Sequence, residues 1–110
     1  TKSVMLWFGD NYMGKNGDRS AISASPIRAS DDVLKRMPPA IVITAEYDPL
    51  RDEGEAYAKR LAALGVAVSH VRWSSQFHGF VSLADFLDDG KAALAASAAA
   101  LRSAFTPVLQ

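Results

Sequence analysis

Residues 40–45, Ala-Ile-Val-Ile-Thr-Ala, form an unbroken run of mostly apolar, largely β-branched side chains. A strand with one wet face alternates apolar and polar residues. A continuous run is buried on both faces, as in a parallel sheet covered by helices. A second strand-like run extends from Val66 to Trp73. The segment between them has the marks of a helix. Asp52 opens it, with Glu55 three residues on as a capping-box partner. Tyr57, Leu61 and Leu64 make its buried stripe, and Gly65 closes it. Strand, helix, strand in this order is a right-handed crossover unit. The expected fold class is therefore α/β, with parallel strands and flanking helices. Two strands alone are marginally stable at best, and a strand buried on both faces needs a neighbour at each edge. The missing strands are expected from elsewhere.

The rest of the chain divides around this unit. Val4, Met5, Phe8 and Tyr12 recur at helical spacing, with Ser3 placed to cap and Gly14 to stop a helix over residues 3–13. Leu6 and Trp7 lie off that stripe, so the helix has apolar surface nearly all round and wants cover on more than one face. Residues 14–39 read as connection. Gly14, Asn16, Gly17 and Asp18 form turns, Ser30-Asp31-Asp32 can cap a short helix through Leu34 and Lys35, and Met37-Pro38-Pro39 ends it. The last helix is expected from about Leu83 to Phe105, with Leu83, Leu87, Leu94, Leu101 and Phe105 on one face. Asp85, Asp88 and Asp89 suit its positive end and Arg102 its negative end. The organisation expected is a connector with one apolar helix over 1–39, then a βαβα part over 40–110.

Charge and composition exclude several classes of partner. Among 110 residues, 12 Lys and Arg balance 12 Asp and Glu. A neutral chain gives no electrostatic reason to expect nucleic acid or an anionic membrane. No run of about 18 apolar residues is present to span a bilayer. There is no cysteine, so neither a disulfide frame nor a thiolate metal site can form. A cytoplasmic location fits this composition. The first residues lack a signal-peptide layout and do not begin with Met. A piece of a larger protein is the expectation.

Two loops carry the chemistry. Tyr47-Asp48-Pro49-Leu50-Arg51-Asp52-Glu53-Gly54 follows the first strand, and Phe77-His78-Gly79-Phe80 follows the second. Both loops leave the carboxyl ends of strands, where open α/β sheets place reacting groups. A histidine oriented by a carboxylate is the base half of a Ser-His-Asp triad. Asp48, held by the stiff turn at Pro49, suits the orienting role, although Asp-Pro is also a common turn. His78 suits a general base. His70 falls mid-strand and reads as structural. Glu46, at the strand end, has no evident partner. His70, His78, Asp48 and Glu46 lack metal-ligand spacing, so no metal is expected. Ser74 and Ser75 lie near His78 but sit on no strand-to-helix elbow. No Gly-x-Ser-x-Gly and no His-Gly-Gly-Gly occurs. The nucleophile half is absent.

Residues 43–58, Ile-Thr-Ala-Glu-Tyr-Asp-Pro-Leu-Arg-Asp-Glu-Gly-Glu-Ala-Tyr-Ala, resemble the acid-loop segment of the hormone-sensitive-lipase family of α/β-hydrolases. His78-Gly79-Phe80 resembles that family's catalytic-histidine loop. Met5-Leu6-Trp7-Phe8, Tyr12 and Ala24-Ser25-Pro26 resemble the segment between its nucleophile and its acid. The resemblance implies the carboxyl-terminal portion of an α/β-hydrolase fold and a carboxylesterase of short- to medium-chain acyl esters that needs no cofactor. It implies Asp48 as triad acid, His78 as triad base, and Met5 and Phe8 as pocket-lining residues. The serine and the oxyanion hole lie upstream in such enzymes, so the implied partners are an ester substrate and a complementary amino-terminal part. A homo-oligomer is compatible with this. Trp73-Ser74-Ser75-Gln76-Phe77 departs from the family's aromatic-Pro-Gly-type approach to the histidine. A different class of role also fits half a triad: a non-catalytic module that pairs with another chain through its sheet edge.

Overall fold

The computed structural model describes residues 2–106. Helix α1 spans Lys2–Met13 and ends just before Gly14. Ser3, expected as its cap, lies inside it. After a connection containing a 3-10 turn at Pro26–Arg28 comes the single-turn helix α2, Asp31–Leu34. Strand β1, Ala40–Tyr47, leads to helix α3, Arg51–Ala63, and then to strand β2, Val68–Phe77. A second 3-10 turn, Phe80–Leu83, precedes helix α4, Asp88–Phe105.

The two strands are parallel neighbours, aligned from Ala40 opposite Val68 to Ala45 opposite Trp73. Alternate β1 residues face opposite layers. Ala40 packs with Leu34, Leu61 and Val66, a small core between α2, α3 and the strand starts. Ile43 and Ala45 pack on the other face with Trp73, Phe80 and Ala93, under the second 3-10 turn and α4. Helices therefore cover both faces, as the continuous run at residues 40–45 required. The cover is incomplete: Ile41 and Val71, on the face of Ile43 and Trp73, remain exposed. The sheet has two strands among the described residues, so each strand also has an open edge. The Cα radius of gyration is 15.9 Å, against about 13 Å for a compact domain of 100 residues. The chain is spread over more space than its own core fills.

Several local expectations are corrected. β2 starts two residues later than Val66 and continues four past Trp73, to Phe77. Arg51, not Asp52, begins α3; its cap residue is Leu50, and no side chain caps it. Asp52 instead accepts a hydrogen bond from Arg51 Nε at 2.8 Å. Glu55 turns inward to Arg72 and takes no part in a capping box. A bidentate guanidinium offers more than one backbone N–H. α4 begins at Asp88, so Asp85 precedes it. Its buried face is Gly90 and Ala93, while Leu94, Leu101 and Phe105 are exposed. Small residues permit close docking: a Cβ at Gly90 would lie 2.6 Å from the Phe80 carbonyl oxygen. Of the expected leucine face only Leu87 packs on the core around Phe80, while Leu101 borders an open cleft with Pro39, Ala40 and Ile41.

Candidate active site

Asp48 follows β1 directly. One carboxylate oxygen, Oδ1, accepts the Leu50 N–H at 2.8 Å, and its carbonyl accepts the Arg51 N–H at 3.1 Å. This turn forms because an aspartate can bond the backbone two residues on and Pro49 stiffens the next residue. The second oxygen, Oδ2, meets His78 Nδ1 at 2.8 Å. The Asp48 side chain is 14% exposed and the His78 side chain 57% exposed. A carboxylate can only accept, so the arrangement selects the tautomer with hydrogen on Nδ1. His78 Nε2 then keeps its lone pair, and it meets no hydrogen-bond partner among the described residues.

The histidine loop is pinned on either side. Gly79 has φ of 83°, a left-handed angle that glycine adopts at no steric cost. That turn drives Phe80 inward, where it is 3% exposed and its ring centroid lies 5.7 Å from that of Trp73. The buried aromatic anchors the loop, and the imidazole stays at the surface. The motif alone did not reveal that Phe80 is the packed residue of this loop.

The other expected residues take varied places. His70 lies mid-strand on β2, with Nε2 3.0 Å from Thr44 Oγ1, remote in sequence from the loops. Glu46 does have a partner: its Oε2 accepts the Ser75 N–H at 2.6 Å. No sequence signal exposed this pair, since it depends on an irregularity in β2. Met5 is half-buried on α1, and Phe8 is exposed with its ring edge-on to Trp7. The structure does not join either to the Asp48–His78 pair. The same helix does approach the acid loop elsewhere: Gly9, Tyr12, Met13, Arg19, Ala24 and Leu50 line a cleft of about 300 Å³. Among the described residues no three His, Asp or Glu side chains are grouped to hold a metal ion, and no helix is long and apolar enough to cross a membrane.

One charged cluster stands outside the two loops. Glu55, 8% exposed, receives Arg72 Nε and Nη2, each at 2.6 Å. These bonds hold the Glu55 carboxyl below its ordinary range, with burial opposing them, and raise the Arg72 guanidinium further.

The chain is similar to several known proteins. Residues 1–82 match the family described as having the alpha/beta hydrolase fold. An esterase of Gibberella moniliformis is 36% identical over 102 residues, 92% of this chain and 32% of its own length. Among solved structures, the thermostable carboxylesterase EstE1 from a metagenomic library superposes with a TM-score of 0.87 at 45% identity. That match covers 96% of this chain and 35% of EstE1. The esterase of Pyrobaculum calidifontis gives 0.85 at 47% identity, over 94% of this chain and 33% of its own. This chain thus spans about a third of the length of these relatives. It belongs to the α/β-hydrolase fold family, in the hormone-sensitive-lipase and carboxylesterase group that residues 43–58 had indicated.

Proposed function

We propose that this chain supplies the acid and the base of a Ser-His-Asp triad in a carboxylic ester hydrolase. The observation that carries the reading is the 2.8 Å contact between Asp48 Oδ2 and His78 Nδ1, with the other carboxylate oxygen fixed by Leu50. In the reaction, a serine from the complementary amino-terminal part attacks the ester carbonyl. His78 Nε2 takes the serine proton and later passes it to the leaving alkoxide. Asp48 holds the ring in the Nδ1–H tautomer and stabilises the imidazolium. Backbone N–H groups of the same complementary part bind the oxyanion. Residues 1–39 form the connector in this reading, and Met5 and Phe8 face the acyl or alcohol group of a short- to medium-chain ester once that part is in place. A cytoplasmic location goes with this reading on the cysteine-free composition.

The test uses the full-length protein that carries this chain and the serine. His78→Ala removes the base and brings kcat down by up to about a millionfold, the scale seen when a working triad loses its base. His70→Ala removes one hydrogen bond to Thr44 and stays largely active. Equal losses in the two variants refute the assignment. The exposed Trp7, Phe8, Tyr12, Phe86 and Phe105 favour a second reading, a non-catalytic module that pairs with another chain. Intact-mass analysis separates them. A polypeptide with a Gly-x-Ser-x-Gly sequence supports the enzyme, and a lone species of this chain supports the module.

A further inference from the structure

The parallel ladder is interrupted close to the candidate site. β1 and β2 are in register up to Ala45 opposite Trp73 and resume at Tyr47 opposite Phe77. Across the gap β1 has one residue, Glu46, where β2 has three, Ser74, Ser75 and Gln76. Two residues of β2 are therefore surplus and bulge out. At the crest Ser75 adopts φ of 61°, the one positive value for a non-glycine residue among those described. Such a conformation persists only where the surroundings hold it.

Two side chains do so. The Glu46 carboxylate accepts the Ser75 N–H at 2.6 Å, which supplies an acceptor at the point where the ladder fails. Glu46 is itself held, because its carbonyl accepts from Arg51 Nη1 at 2.8 Å. On the far side of the crest, Gln76 Nε2 donates to Asp89 Oδ2 at 2.7 Å, at the start of α4. His78 follows two residues later. Bulges beside a site re-aim the side chains that come after them, and this one lies between the regular part of β2 and the imidazole.

We infer that Glu46 is a positioning residue for His78: its carboxylate clamps the left-handed Ser75 backbone and so fixes where the imidazole stands relative to Asp48. The inference rests on the triad reading above. It adds a second carboxylate to the site, one that touches neither substrate nor imidazole. An amide carbonyl can accept the same N–H, so the role requires an acceptor at this position and not a charge.

In the full-length protein, Glu46→Ala lowers kcat on a p-nitrophenyl ester by roughly 10- to 100-fold, the scale of a misplacement of about 1 Å. KM and Tm change little, because Glu46 lies at the rim of the fold. Glu46→Gln restores kcat to within about threefold. Unchanged kcat in Glu46→Ala overturns the inference. So does a loss that Gln fails to restore, or one that merely follows a fall in Tm. Hydrogen exchange on the unaltered protein is an independent check: the Ser75 amide is expected to be protected, and exchange at the rate of an open loop overturns the clamp. His78→Ala, assayed alongside, keeps the two readings apart. Full activity there sinks the triad, whereas an inactive His78→Ala beside a fully active Glu46→Ala sinks only the clamp.

Discussion

Replacing Asp48 by Asn keeps the shape of the side chain and exchanges one acceptor for a donor. The structure dictates which end goes where. Oδ1 of Asp48 accepts the Leu50 N–H and Oδ2 faces His78 Nδ1, both at 2.8 Å. Asparagine has a single oxygen. Turning its NH2 toward Leu50 would set donor against donor and leave a hydrogen bond unmet, at a cost of about 1–3 kcal/mol. The oxygen therefore stays with Leu50, and the NH2 faces His78. Nδ1 must then accept, so the hydrogen of a neutral imidazole moves to Nε2, the nitrogen that has to take the serine proton. Holding the wrong tautomer costs a working triad roughly 10⁴-fold in kcat, about 5.4 kcal/mol at 1.36 kcal/mol per decade. The assay is steady-state hydrolysis of a short p-nitrophenyl ester by full-length protein, with nitrogen-15 NMR of His78 to read the tautomer. Tm is expected to stay near the parent value, since the turn keeps its bond to Leu50. A drop of less than tenfold in kcat, with the tautomer reversed, would refute the reasoning.

Three further outcomes are expected. This chain by itself hydrolyses the same ester no faster than free imidazole, because half a triad without an oxyanion hole lacks the nucleophile; turnover well above that background contradicts the proposal. Gly90→Ala destabilises the full-length protein by about 1–3 kcal/mol, since the new Cβ meets the backbone oxygen of Phe80 at 2.6 Å and that clash exceeds the gain in helix propensity of up to about 1 kcal/mol; an unchanged urea midpoint would show that α4 does not dock there. Glu55 has a folded-state pKa below its ordinary value because of Arg72, so its stabilisation is fully present above the ordinary glutamate range and is lost as pH falls through the depressed value. The stability gap between the parent and Glu55→Gln should accordingly narrow as pH falls below about 4.3, and a gap that stays constant down to pH 2 would argue against the pair.

What could be read from residues alone was what depends on neighbours in sequence. The run at 40–45 specified a parallel strand because covering both faces is the only way to keep such a run dry. The stripe at Tyr57, Leu61 and Leu64 gave α3 because side chains at that spacing share one face, and Leu61 is buried there. Asp48 and His78 were legible because each follows a strand end and parallel strands bring those ends together. The failures came from competition over distance. Asp52 and Glu55 have the spacing of a capping box, but Arg72 lies on β2, and no local rule foresees that its guanidinium will take Glu55. The leucines of α4 form a faultless stripe, yet Gly90 and Ala93 make the close contact. A stripe shows that a face needs cover but not which element supplies it. The same holds for Glu46. Its partner is a backbone N–H presented by a bulge, and a bulge follows from the count of residues on two strands that must both reach the same end. In this chain the count differs by two, and the surplus lies between the last regular pair of the ladder and the histidine.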